Sequence, residues 1–390
     1  MNAGSPLRIL YVAPNIRVPG ADGGSSHTAF LTAALARRGH VVSAFVNGRG
    51  DEHRDGVLWL RHRGVHSFRY LEWMGAPAVA REARRLRPDC IIERYSSFGG
   101  AGVRAAAALG IPALLEINSP AFDPPGSPRA RLDGWLPGRP IRRYRESLLD
   151  RAAAIYATSE LLVEPERRTQ SLRVVSNGFD PARFHPEGER EHLPFPEGTT
   201  VFALVSSFRA WHGAAELVEA AARLVARGRR NLGLALIGDG PERAAVIARA
   251  ADLGIGDRVW IPGRVPTDRV AAILRASHVG VAPFASRRHA DLAVGFFWSP
   301  IKLFEYMGSG LPVITTRVAP LSEHVRDGVE GLLIGDGDVA ELARAMERFL
   351  DDPALVREMG VRALARAREH FTWDAQARVV EELVHEVLRR

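Results

Sequence analysis

GFFWSPIKLFEYMGSGLP, residues 295–312, decides how the rest of the sequence reads. Its centre is expected to be a short helix. Ser299 is placed to cap it, because a serine oxygen accepts from the otherwise unpaired amides of a first turn. Pro300 then falls at the first helical position, where no amide is needed. Gly308, Gly310 and Pro312 close the segment. The amides and positive dipole end of such a helix start make an anion site. Lys302 stands one turn in and adds a full charge. Glu305, three residues on, shares its face. A cation for phosphate beside a carboxylate for hydroxyls suits a phosphorylated sugar or a nucleotide. The plainer reading is a solvated ion pair. Lys302 is, however, the only lysine among 52 Lys and Arg residues. A chain that otherwise uses arginine suggests that a compact ammonium, rather than a planar fork, is wanted here.

Outward from this stretch the rhythm is strand, turn, helix. Upstream, TVFALVSSF, NLGLALIGDGP, RVWIPGRV and HVGVAPF read as strands separated by helical segments, and PVITT follows the focal helix as another. The first half repeats the rhythm. LRILYVA (7–13) is a buried strand, followed by a loop ending in Gly23-Gly24-Ser25-Ser26, a helix HTAFLTAALARRG and a strand VVSAFV. This is how a doubly wound parallel sheet begins. The Gly23-Gly24 pair would let backbone approach a ligand at a helix start. A G-x-G-x-x-G fingerprint is absent from that first turn, which counts against an NAD enzyme. PALLEINSP (112–120) is a strand ending in polar residues, and strand ends are where open α/β sheets hold ligands. Glu116, Asn118 and Ser119 are therefore candidates, with His27 on the same side.

Residues 186–200, PEGEREHLPFPEGTT, are polar, proline-rich and without apolar period. They are expected to link a domain over 1–185 to one over 201–370, with an amphipathic helix over 371–390 packing back on the first. Length allows two such domains: 390 residues. No apolar run is long enough to cross a bilayer, and the N-terminus lacks a leader pattern, so a cytoplasmic location is the expectation. The single cysteine, Cys90, excludes an intrachain disulfide, and the 13 His show no metal-ligand spacing. Net charge is +7, with +8 in residues 1–180 and −1 in the remainder. This could favour an anionic acceptor, an anionic membrane surface or nucleic acid, and a solvated arginine-rich surface is the plainer reading. No zinc-finger or RNP-type signature supports nucleic acid.

Taken together, GGSSHT with ARRGHVV, LGIPALLEINSP, VVSNGFDPARFHP, LIGDGPE, IPGRVP, SPIKLFEYMGSGLPVI, GVEGLLIGDGD and HFTW resemble the retaining glycosyltransferases of the GT-B fold, family 4. The resemblance runs almost end to end. It implies two Rossmann-like domains facing across a cleft, the second holding a nucleotide-diphosphate sugar and the first a hydroxyl-bearing acceptor. An anionic or lipid-linked acceptor, and contact with the inner membrane surface, stay open. Glu305 falls on the second acid of the family's Glu, seven residues, Glu motif, expected at the donor's ribose. Phe297 falls on the first acid, a departure that leaves the backbone amides of Phe297, Trp298 and Ser299, with Ile301 beside them, to serve. Lys302 marks an S-P-x-K variant. In SSFRAWHG, Arg209 matches the family's diphosphate arginine, His212 stands in place of its lysine, and Ser207 lies alongside. Gly263, Arg264 and Val265 match a loop that contacts the base, and Gly23 and Gly24 a loop that approaches the diphosphate. Asn118 lies near where many members carry a catalytic-site His. The implied reaction transfers a sugar with retained configuration. Lys302, Glu305, Arg209 and Asn118 form its expected catalytic set, and neither metal nor cofactor is needed. Two alternatives remain: a catalytically silent GT-B partner protein, and a nucleotide-sugar epimerase of the same fold.

Overall fold

The structure is a computed structural model. It describes residues 5–20, 23–68, 70–122, 138–167, 172–289, 292 and 295–390. The chain divides into two compact units, one of residues 1–178 with 373–390, the other of 179–372. The break lies between Gly178 and Phe179, ahead of the linker expected at 186–200. That stretch instead lies against the second unit. Arg269 bonds Glu191 and Arg275 donates to the Glu189 carbonyl, while a Cβ on Gly233 would touch the Phe195 ring. Polar composition marked it as irregular, but irregular chain can still be tied down by its side chains.

The first unit is built on one sheet. Its strands are β1 (Arg8–Arg17), β2 (Val41–Asn47), β3 (Glu52–Arg54), β4 (Val57–His62), β5 (Cys90–Arg94), β6 (Ala113–Ile117), β7 (Ala154–Ala157) and β8 (Leu172–Val174). They lie in the order β3-β4-β2-β1-β5-β6-β7-β8, and only β3 pairs antiparallel. Ile9 through Ala13 are all buried, the continuous apolar run of a strand covered on both faces. The strand continues through Pro14 to Arg17, past the turn expected there. The first helix spans Gly23–Arg37, so the GGSS segment forms its first turn rather than a loop. Small residues are tolerated there because the first amides have no intrahelical partner in any case. The C-terminal helix, Trp373–Leu388, belongs to this unit. Trp373 stacks on Phe30 at 5.8 Å and meets the His27 ring edge-on at 5.4 Å, and Arg173 pairs with Glu386 at 2.9 Å.

The second unit has β9 (Thr200–Ser206), β10 (Leu232–Gly238), β11 (Val259–Gly263), β12 (Val279–Ala282), β13 (Val313–Thr316) and β14 (Gly331–Ile334), in the order β11-β10-β9-β12-β13-β14. All described pairings are parallel. Phe202, Leu204, Leu234, Leu236, Val279 and Ile314 from the strands pack with Leu217, Leu224, Met346 and Phe349 from the helices. Each such buried side chain contributes roughly 1.5–3 kcal/mol. The order reverses between β9 and β12, and that reversal is where a doubly wound sheet opens a crevice at its C-terminal edge. The opening is visible in the bonding. β9 pairs with β12 at Phe202 and Ala203, and further along the Val205 amide donates to the Tyr306 hydroxyl at 2.7 Å. Tyr306 reaches that position because residue 280 is glycine: a Cβ there would stand 2.4 Å from its ring.

Candidate active site

The reversal point gathers most of the second-unit candidates. The chain leaves β9 through Ser206, Ser207 and Phe208 into a short turn, Ala210–His212, then a helix Ala214–Ala226. Gly213 joins them at φ +75°, and a Cβ on it would fall 1.8 Å from the Pro283 carbonyl oxygen. That close approach locks the turn against the end of β12. Arg209 is exposed, with its guanidinium 5.6 Å from the centre of the Trp211 ring. The His212 Nδ1 lies 3.1 Å from the Ser206 hydroxyl and 3.5 Å from that of Ser207. Burial, with the charges of Lys302 and Arg209, pulls the His212 pKa down to about 2. The imidazole is therefore neutral.

The focal helix spans Ile301–Gly308. Its N-cap is Pro300, extended at ψ 114°, with no side-chain cap. Ser299 thus lies one residue before the cap rather than on it, buried and already engaged. The difference comes from Pro300, whose carbonyl takes the first bond, from the Leu303 amide at 3.1 Å. Pro300 itself offers no side-chain cap to the helix amides.

Lys302 rises from that first turn. Its Nζ is buried without a hydrogen-bond partner, 5.2 Å from the centre of the Phe284 ring. Burial lowers its pKa to about 7, with Glu305 opposing the shift. Burial raises that of Glu305, opposed by Lys302 and Arg183. Desolvation penalises both charged forms. Among the described residues no oxygen bonds this buried ammonium, an arrangement that an incoming anion would relieve.

Around the lysine the wall is aromatic. Phe297, expected to offer at most its backbone, has its ring buried at 2% exposure. Trp298 is half-buried. Sequence reasoning missed Trp211 as a ring, Phe284 and His289, because all three stand in turns with no period to flag them. Gly263 lies at the end of β11 with φ +78°, followed by exposed Arg264 and half-buried Val265. These three lie two strands away from the reversal, beyond β10.

The first-unit candidates form a separate group. Glu116, at the end of β6, was expected to face an acceptor. It is 1% exposed, and its oxygens accept from Tyr11 at 2.8 Å, Tyr156 at 2.8 Å, Arg94 at 2.8 Å and the Asn118 amide. His27 Nε2 lies 3.0 Å from it, with its Nδ1 2.6 Å from Asn177. Burial alone would raise the Glu116 pKa. The neighbouring His27 and Arg94, with the Tyr11 hydrogen bond, outweigh it and hold the pKa at about 2. Glu116 is therefore an anchor for its neighbours and does not face an acceptor. His27 is equally closed off, at 4% exposure. Asn118 is half-buried and Ser119 exposed at the mouth of the same loop. A Cβ on Gly23 would meet no atom of the described residues within 4 Å.

Comparison with known proteins bears on the family and the fold. The family "Glycosyltransferase Family 4" matches residues 21–183 and "Glycosyl transferases group 1" residues 199–352. A 2-deoxystreptamine glucosyltransferase of Streptomyces kanamyceticus is 30% identical over 275 residues, 66% of each chain. A D-inositol 3-phosphate glycosyltransferase of Nocardia farcinica is 32% identical over 211 residues, 52% of this chain and 44% of that one. The matched part of this chain thus spans two thirds or less of these relatives. Among solved structures, a sucrose-phosphate synthase from Thermosynechococcus elongatus superposes with TM-score 0.76 at 21% identity, covering 98% of this chain and 99% of that one. An Anabaena protein crystallised with UDP gives 0.71 at 16%, covering 97% and 100%. These two likenesses bear on the fold, which is GT-B. With family matches on both units, this chain belongs to the group 1, family 4-like glycosyltransferases.

Proposed function

We propose that the protein transfers a sugar from a nucleotide-diphosphate donor to a hydroxyl acceptor, with retention of configuration. The observation that carries this is Lys302, the one lysine of the chain, whose buried ammonium has no hydrogen-bond partner among the described residues and stands in the first turn of the helix at the sheet's reversal point. The barrier in such a transfer lies in the negative charge that grows on the departing diphosphate. Lys302, Arg209 and the helix amides are prealigned to meet it. Glu305, one turn along, suits the ribose hydroxyls. Gly263, Arg264 and Val265 lie on the β10–β11 side and suit the base. Retention is the outcome that the family likeness implies, with the departing phosphate taking the acceptor's proton. The reading calls on no cofactor, since the charge on the leaving group is met by side chains and amides.

The Anabaena structures in complex with UDP or UDP-glucose, and a relative named for D-inositol 3-phosphate, support a nucleotide sugar as donor and a polyol as acceptor class. The test is release of nucleoside diphosphate from a donor panel with and without polyol acceptors. Release that depends on the acceptor is expected. Consumption of donor without acceptor would favour an epimerase, and binding without turnover a silent partner.

A lipid-linked acceptor is favoured by one surface of the first unit. Phe68, Tyr70, Trp73 and Met74 are exposed by 67%, 65%, 38% and 45% within seven residues. The helix that follows, Ala76–Leu86, presents Arg81, Arg84 and Arg85 to solvent. Apolar tips beside arginines suit the interface of an anionic bilayer. No described helix is long and apolar enough to cross a membrane, so the contact would be peripheral. Replacing Phe68, Tyr70 and Trp73 together by serine is expected to cut co-sedimentation with anionic vesicles about tenfold or more, while leaving the melting temperature unchanged. Equal sedimentation of the two proteins would remove this reading.

A further inference from the structure

The imidazole of His212 stands on the turn that leaves β9, and its surroundings fix how it is held. Ser206 is buried at 6% exposure. Its Oγ accepts from the Phe208 amide at 2.9 Å and lies 3.1 Å from the His212 Nδ1. The Ser207 hydroxyl is farther off, at 3.5 Å. The backbone beneath is clamped, because residue 238 is glycine and a Cβ there would fall 1.9 Å from the Ser206 carbonyl oxygen. Trp211 meets the imidazole edge-on at 5.7 Å and Phe284 at 6.0 Å.

A neutral imidazole carries one proton, on Nδ1 or on Nε2. Were it on Nδ1, the Ser206 hydroxyl would accept twice, and its own buried proton would need a further partner. With the proton on Nε2, the hydroxyl accepts once from Phe208 and donates once to Nδ1. Each of the three polar groups then has a partner. Burial and the charges of Lys302 and Arg209 keep the ring neutral, so the two cations do not become three. With Nδ1 taken up by the serine, Nε2 is the nitrogen left to meet an incoming group. An anion drawn to Lys302 and Arg209 favours an N–H there over a lone pair.

We propose that Ser206 holds His212 as the Nε2–H tautomer and that His212 gives this N–H, as a neutral hydrogen-bond donor, to the diphosphate of the nucleotide sugar. The proposal rests on the donor reading of the Lys302 site and adds a residue and its orienting partner to it. Ser206 is a positioning residue, acting only through His212. No proton leaves the imidazole in this role. Its hydrogen bond strengthens as negative charge grows on the leaving diphosphate.

The experiment is ¹⁵N NMR of protein labelled at its histidines, with His212 assigned by the loss of its signals in His212→Gln. The free protein is expected to show a protonated Nε2 and a bare Nδ1 at His212, unchanged between about pH 5 and 8, where a free histidine titrates. Adding UDP, TDP or GDP should shift the Nε2–H resonance. A glutamine places its amide nitrogen where Nε2 stands, and an asparagine where Nδ1 stands. His212→Gln should therefore keep most of the affinity for the bare diphosphate, while His212→Asn and His212→Ala lose about tenfold or more. Ser206→Ala should mix the tautomers and weaken diphosphate binding, and Ser206→Thr, which keeps the hydroxyl, should restore both. The native spectrum decides the tautomer without any variant. A proton on Nδ1, a ring that titrates in that window, an Nε2–H unmoved by a diphosphate that binds, or equal affinity in His212→Gln and His212→Asn overturns the proposal while leaving the donor reading in place. An unchanged tautomer in Ser206→Ala overturns the part given to Ser206. Failure of every bare diphosphate to bind the folded native protein overturns the donor reading and this proposal with it.

Discussion

Lys302→Ala is expected to lower kcat/KM for sugar transfer by about 10²–10³, the range seen when one preorganised group facing a developing oxyanion is removed. The side chain has little other work in the fold. Its Nζ bonds none of the described residues, and its burial is a desolvation cost. Lys302→Met, which fills much the same space without a charge, should therefore be as inactive and keep or raise the melting temperature. Activity near normal in both variants would remove Lys302 from the mechanism. A pH dependence accompanies this. In the free protein burial brings the lysine to about 7, and a bound diphosphate must push its pKa back up. Below pH 7 the ammonium is already present and diphosphate affinity is at its plateau. Above pH 7 each binding event must take up a proton, so affinity falls by up to tenfold per pH unit until the bound-state pKa is reached. Calorimetry in buffers of different ionisation enthalpy reads this uptake directly, and Lys302→Met should lose it.

The focal stretch was legible because several local signals coincide there: a proline before an apolar run, glycines after it, and a lone lysine between. The alternation of strand and helix was legible from periodicity alone, since buried parallel strands such as Ile9–Ala13 are uninterrupted apolar runs. Three things were not. The cap shifted from Ser299 to Pro300, because which residue closes a first turn depends on backbone angles that the sequence only biases. The wall of Trp211, Phe284 and His289 comes from turns after different strands, and a contact between 211 and 289 has no signature in either segment. Glu116 was noticed for its place at a strand end, but its role depends on what surrounds it. Tyr11, Arg94, Asn118 and Tyr156 reach it from four points of the chain. A polar residue at a strand end reads the same in sequence whether it faces a ligand or the interior.

That difference makes Glu116 the site of the largest expected loss of stability. Glu116→Ala would leave the Arg94 guanidinium and the Tyr11 and Tyr156 hydroxyls buried without their acceptor. Removing one partner of a buried charge pair costs about 3–5 kcal/mol, which is a large share of the 5–15 kcal/mol that holds a typical domain together. The variant is expected to unfold at markedly lower denaturant or to accumulate poorly. Glu116→Gln keeps one acceptor oxygen and the shape, so it should fold and allow the charge itself to be measured. The sign follows from the pKa. The folded value, about 2, lies below the ordinary 4.5 of a glutamate, so ionised Glu116 adds stability that is fully present above pH 4.5. As pH falls from 4.5 toward 2, the unfolded chain takes up the proton first and that contribution drains away. The gap in unfolding free energy between the native protein and Glu116→Gln should therefore be on the order of 3 kcal/mol at pH 7 and close between pH 4.5 and 2. A gap independent of pH over that window would mean that shape and hydrogen bonding, rather than charge, account for what Glu116 contributes. A negligible gap at pH 7 would mean that the network holds without its carboxylate. In either case a substrate at Ser119 and Asn118 would meet this anchor only through the residues it positions, so transfer by folded Glu116→Gln should fall less steeply than transfer by Lys302→Met.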